Sequence, residues 1–189
     1  APIRYPGMHL KRLAALILGL WLGGSLAVFW FTESSRLAPE RLLRTPPTSA
    51  IDRMAKLPEE ELRALLNYQA AEVNRSTVRQ WELAQLALGV IILVLLALSV
   101  SGVRYPAVLC LLMVLTVAFL HWFMTPQIER LGRVTDFLPV QQISVERDRL
   151  RSLETGYRTA EAIKILLGLV AAGGLIRRRH RSQREVEPD

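Results

Sequence analysis

The sequence predicts an all-α integral membrane protein, an antiparallel four-helix bundle with helical extensions outside the membrane. Three observations predict it. Residues 13–31, 83–103 and 105–128 contain no Asp, Glu, Lys or Arg. A fourth run, 160–176, is apolar except for Glu161 and Lys164 near its start. Basic pairs and triplets abut the outermost runs: Lys11 and Arg12 before the first, and Arg177, Arg178 and Arg179 after the fourth. A helix crosses a hydrocarbon layer of about 30 Å with about 20 mostly apolar residues. The 189 residues therefore read as one four-span domain. The spans lie at 13–31, 83–103, 105–126 and 160–176, and the extracytoplasmic segments at 32–82 and 127–159.

The first run follows Arg4, Lys11 and Arg12 and ends in Phe29-Trp30-Phe31-Thr32-Glu33. It is too long for a signal-peptide core and reads as a retained anchor. Pro39, Pro46 and Pro47 then mark an irregular connection with one short helix after Pro39. Pro58 opens a new helix, since proline suits a first helical position and Glu59, Glu60 and Glu61 complement the positive end of its dipole. This helix runs to about Ser101, its first half outside the membrane, with Leu62, Leu66, Gln69 and Val73 on one packing face. The third span extends to about Gly132 or Arg133, with a kink expected at Pro126. Pro139 breaks the chain, Ser144 caps the last helix, and Glu146 and Asp148 sit in its first turn. Leu150, Leu153, Tyr157, Ala160 and Lys164 recur at spacings of three and four, so that helix continues into the fourth span.

The formal net charge is +7. In a soluble chain that would suggest nucleic acid; here the arginines flank apolar runs, and topology explains them better. Charge next to the span ends outweighs charge in long connections, which places both termini in the cytoplasm. Trp30, Trp81, Trp122 and Tyr157 fall at the four outer ends, where amphipathic rings favour the headgroup level. Lysine occurs only at 11, 56 and 164, while Arg, Ala and Leu are abundant. That composition points to a GC-rich bacterial genome and a bacterial inner membrane. The lone Cys110 lies mid-span and reads as a small apolar filler.

Two constellations stand out. Ala15, Gly19, Gly23 and Ala27 form a small-residue stripe in the first span, and Gly168 and Ala172 share that spacing in the fourth. Small residues let helices approach closely in lipid. The plain reading is packing inside the bundle; the sharper one is a dimerisation face or a partner's docking groove. The second constellation is polar: Glu82 and Gln85 open span two, His121 and Thr125 close span three, and Glu161 and Lys164 open span four. Ionisable groups in a membrane are costly and by default face the interior or water. Their plain reading is an interfacial ion pair with a snorkelling lysine. Their functional reading is an outward-opening polar pocket. His121 and Met124 are too few to argue for a soft metal. No haem, zinc, phosphate-loop or nucleophile pattern is legible, so the sequence implies no cofactor and no catalytic residue.

Leu20-Trp21-Leu22-Gly23-Gly24 resembles the opening of a family of small four-helix bacterial membrane proteins of unassigned function, related to transmembrane-205-type proteins. Thr125-Pro126-Gln127-Ile128-Glu129-Arg130-Leu131 is similar to the end of that family's third helix. Tyr157-Arg158-Thr159-Ala160-Glu161-Ala162-Ile163-Lys164 is similar to the start of its fourth. The first outer connection here is longer and richer in proline, and Gln141-Gln142 stands where a His is more usual. The resemblance implies a four-span topology and no particular activity. The leading expectation is a structural or accessory membrane protein, a subunit of a larger membrane assembly whose partners are the lipid bilayer and other membrane chains. The alternative is a small-molecule, lipid or ion binding or transport protein that uses the outer polar pocket. An integral-membrane enzyme ranks third.

Overall fold

The computed structural model describes residues 6–45, 58–99, 104–136 and 145–184, with side chains described for 9–45, 58–99, 104–136 and 145–175. The described residues are helical, with no strand among them. Helix α1 spans Pro6–Arg36, and a short α2 follows at Ala38–Arg44. Pro39 falls in the first turn of α2, where a missing N–H costs nothing, and its ring prevents α1 from simply continuing. Helix α3 covers Glu59–Ala97, with three glutamates in its first turn as expected. It ends four residues short of Ser101, the end expected from the sequence. Helix α4 is Arg104–Phe119, α5 is Thr125–Thr135 and α6 is Val145–Arg184. The expected breaks at Pro46, Pro47 and Pro139 and the cap at Ser144 lie outside the described residues.

Between α4 and α5 the chain makes one π-helical turn over Leu120–Met124, closed by the Thr125 N–H on the Leu120 carbonyl. Its cause is Pro126, which lacks an N–H and crowds the carbonyl four residues back. The kink expected from the sequence is therefore a widened turn.

Helix α1 packs on α3 and α6, and α4 packs on the same two. Along α1 and α2, rising numbers meet falling numbers on α3. Trp21 meets Gln85, Asn74 bonds the Thr32 carbonyl, and Arg63 meets Glu40. The core they enclose contains Ala14, Leu18 and Trp21 from α1, Ile92 and Leu96 from α3, Leu109, Cys110, Met113 and Val117 from α4, and Ala171 from α6.

Close approach depends on three glycines. A Cβ at Gly24 would lie 2.2 Å from the Trp81 ring, one at Gly89 2.3 Å from Val114, and one at Gly168 2.6 Å from Leu22. Gly168 and Ala172 thus pack as expected, Ala172 against the core's edge. Among the described residues the α1 stripe is largely left unpacked. Nothing lies within 4 Å of a Cβ at Gly19 or Gly23, Ala27 is exposed, and Ala15 is half-buried. The buried face is instead Ala14, Leu18, Trp21 and Ser25, one residue round the helix. The reason is Trp21: its large ring and polar edge claim the interior. On α3, Leu62 and Leu66 are half-buried as expected, but Gln69 and Val73 are exposed. Spacings of four carry the contact through Ala70 to Asn74, which bonds the Thr32 carbonyl.

Among the described residues, three helices are long and apolar enough to cross a membrane: His9–Arg44, Glu59–Ala97 and Arg104–Thr135. Helix α6 is 40 residues long but is charged up to Lys164. The outer faces carry large exposed apolar side chains, among them Leu16 and Leu20 on α1, Val90 and Val94 on α3, and Leu115 and Phe119 on α4.

Candidate functional site: a buried polar network beneath a vestibule

The six polar residues singled out in the sequence converge. Glu82 on α3 has a fully buried carboxylate. Its Oε1 accepts from the Thr125 hydroxyl at 2.6 Å and the Tyr157 hydroxyl at 2.9 Å, and its Oε2 lies 2.9 Å from His121 Nδ1. An ionised carboxylate has acceptor sites for all three and no proton to place. One turn along α3, Gln85 is also fully buried. Its Oε1 accepts from Trp21 Nε1 at 2.9 Å and from Lys164 Nζ. Indole N–H and ammonium are donors only, so the amide must turn its oxygen to both, and Gln85 Nε2 is left without a partner. Lys164, itself fully buried, also donates to Glu161 Oε1 at 2.5 Å. Helical spacing explains the convergence: Glu82/Gln85 and Glu161/Lys164 are three apart, and His121 lies within the π turn that Thr125 closes.

Sequence reasoning misses two members. Trp21 stands in the sequence only as part of a family motif, and Tyr157 as a headgroup-level ring, a position in the last helix's stripe and part of a family motif, neither as a member of the polar cluster. Tyr157 points inward to Glu82, and burial, with Glu161 and Glu82 nearby, pushes its phenol well above the ordinary value, so it remains a donor. Trp81 likewise turns inward over Gly24. Trp30 and Trp122 are exposed. Met124 does not join His121; its methyl group lies against Gly156.

Above this network the helices leave a cavity of about 580 Å³. Thr125, Tyr157 and Glu161 belong to both its floor and the network. Its walls come from α1, α3, α5 and α6 and include Leu26, Phe29, Val78, Ile128, Leu150 and Ile165. Two ion-pair groups tie the walls together. Arg75 reaches Asp136 at 2.8 Å and Glu72 at 3.1 Å, while Arg133 meets Glu72 at 2.9 Å. Gly132 makes room for Arg75, since a Cβ there would sit 2.8 Å from its Nη1. Arg158 on α6 pairs with Glu33 on α1 at 2.8 Å. The hydrogen bond from Arg133, with help from Arg75, holds the Glu72 carboxyl below its usual range. Three polar atoms of the lining, Ser25 Oγ, Asn74 Oδ1 and Trp81 Nε1, are buried without a hydrogen-bond partner among the described residues.

A wall of apolar side chains, a floor of fixed hydrogen-bonding groups and enough volume for a small ligand are the usual features of a binding pocket. No protein-family model, curated protein or solved structure matches the chain.

Proposed function

We propose that this chain is an integral membrane protein, an antiparallel four-helix bundle that holds a small molecule in the vestibule above its buried polar network. The observation that carries the reading is the cavity of about 580 Å³ floored by Thr125, Tyr157 and Glu161. The exposed apolar faces of α1, α3 and α4 support a lipid surrounding, because such surfaces are costly in water. Three unpaired polar atoms in the lining, Ser25 Oγ, Asn74 Oδ1 and Trp81 Nε1, suit a site that takes its remaining partners from a ligand. The proposed spans are 13–31, 83–103, 105–126 and 160–176, with both termini cytoplasmic in a bacterial inner membrane and the vestibule outside. Kinship with transmembrane-205-type proteins is part of the proposal, and two of its motif residues, Trp21 and Gly24, take part in the packing described above.

Two measurements test this. Native mass spectrometry of protein extracted in mild detergent should show a bound small molecule that is lost from Ala71→Trp, which fills the vestibule; equal spectra would refute the binding reading. Thiol labelling of intact cells should reach Ser152→Cys and spare Ser182→Cys; the reverse pattern would invert the topology. A second reading, an accessory subunit docking a neighbouring helix on Gly19, Gly23 and Ala27, draws on the open space over those residues. It requires a stoichiometric partner chain on purification that Gly23→Leu releases.

A further inference from the structure

Two buried polar groups stand unpaired at the floor of the vestibule, at one level of the bundle. Ser25 lines the cavity and is only 5% exposed, and its hydroxyl has no partner among the described residues. Other helical hydroxyls of this chain behave differently: Thr32, Ser35, Ser99, Thr116 and Thr159 each donate to a carbonyl three or four residues back. Trp81 also lines the cavity, and its Nε1 is buried without an acceptor among the described residues. The two groups are neighbours. The benzene edge of the Trp81 ring, Cη2 and Cζ2, occupies the place of a Cβ on Gly24, the residue before Ser25, and Nε1 is two bonds from Cζ2. Helix α6 agrees: Leu22 meets Gly168, and the lining residues Ser25 and Ile165 each stand three residues, about 4.5 Å, beyond that contact. Charge at this level is balanced. Glu161 is paired with Lys164, which is also committed to Gln85. Arg75 and Arg158 stand six and seven residues from Trp81 and Ile165, about 10 Å along their helices, and are paired with Asp136 and Glu33. Asn74 Oδ1, the third unpaired atom, is seven residues from Trp81 and too far to share one head group with it.

Resting on the vestibule reading, we propose that its ligand is an uncharged amphiphile with a carbonyl head, an ester or amide, seated on Trp81 Nε1 and the Ser25 hydroxyl. Its apolar body runs past Phe29, Val78 and Ile128, which line the cavity above the floor. The indole N–H only donates, so the head must bring an acceptor, which excludes an ammonium group. A carbonyl oxygen has two lone pairs and takes both donors with no proton of its own to place. An alcohol would add a third proton and leave one of the three without an acceptor in this pair. A carboxylate would accept both donors but bring a buried charge beside Glu161, with no uncommitted base at that level.

The test uses the full chain in nanodiscs of neutral ether-linked lipid, which offers no ester carbonyl to compete. Methyl decanoate, decanol and decanoate are titrated by calorimetry, and empty nanodiscs are subtracted. An isotope-labelled ester carbonyl is followed by difference infrared spectroscopy. Saturable binding should be about tenfold tighter for methyl decanoate than for decanoate, and about fivefold tighter than for decanol, the worth of one hydrogen bond. The bound carbonyl stretch should lie below its frequency in lipid. Ser25→Ala and Trp81→Phe should each weaken the ester by about fivefold and return the band part of the way. Thr116→Ala, on the exposed face of α4, should change neither. Ser25→Ala deletes a hydroxyl that bonds nothing among the described residues, so it serves alone if Trp81→Phe lowers the melting temperature. An unshifted band, an unchanged ester affinity in Ser25→Ala, or decanol or decanoate binding as tightly as the ester would overturn the carbonyl assignment. In that case ester binding still lost in Ala71→Trp would leave the vestibule standing. Should none of the three probes bind in a manner Ala71→Trp abolishes, the vestibule reading itself falls.

Discussion

Replacing Glu82 by Leu tests the network at its most connected atom. The substitution keeps the side chain's size and removes the acceptor for three donors: Thr125 Oγ1, Tyr157 Oη and His121. An unsatisfied buried donor costs about 1–3 kcal/mol. Thr125 recovers part by turning to a carbonyl of its own helix, and Tyr157 by reaching water in the vestibule. Losing a buried charge also removes a desolvation penalty. The net expectation is a loss of about 2 kcal/mol, a large share of the roughly 5–15 kcal/mol that holds a domain folded. Glu82→Gln retains an oxygen for Thr125 and Tyr157 and offers its amide to the other His121 tautomer, so it should cost under about 1 kcal/mol. Denaturant titration in mixed micelles, followed by far-ultraviolet circular dichroism, measures both. If Glu82→Leu unfolds at the same midpoint as Glu82→Gln or later, the three donors do not depend on this carboxylate and the reasoning fails.

Gly24→Ala should destabilise by about 1–3 kcal/mol, because the new methyl group meets the Trp81 ring. Gly19→Ala should be neutral or stabilising, as its methyl group enters open space; thermal melts of the pair in detergent give the order. A double-mutant cycle on Arg75→Met and Asp136→Asn should report a coupling of about 1–2 kcal/mol, the range for contacting groups in one network. Glu72 has a lowered folded pKa, so its contribution is present above the ordinary carboxylate value of 4.5 and fades as pH falls through the folded value. Melting curves of wild type and Glu72→Gln should therefore differ near neutral pH and converge in acid; a gap that widens on acidification would contradict the pairing.

The helices were legible because a chain rarely keeps twenty or so consecutive residues free of charge unless lipid or a deep core surrounds them. The polar site was legible because Glu82, Gln85, His121, Thr125, Glu161 and Lys164 interrupt apolar surroundings. Trp21 was not. An aromatic inside an apolar run gives no sign that its N–H seeks Gln85, 64 residues away. The inward turn of Trp81 and Tyr157 was hidden for a related reason: a ring at a span end fits the headgroup level equally well. The stripe of Ala15, Gly19, Gly23 and Ala27 left two readings open, because small residues permit close approach without saying which side has a neighbour. The vestibule was out of reach of sequence altogether, since its volume depends on how far four helices separate beyond their shared core.

The π turn at Leu120–Met124 carries a consequence for how this protein tolerates change. Leu120 and Thr125 both face inward although they are five residues apart, a step that an unbroken α-helix would have sent to different sides. One surplus residue resets the phase. Deleting a single residue there would leave the two four apart, a step that an ordinary α-helix turns by about 40°, so Thr125 should keep Glu82 and Asp136 should keep Arg75. The widened turn is thus the place where this rod takes up one more residue and still presents its greasy lower portion and its charged upper portion to the same neighbours.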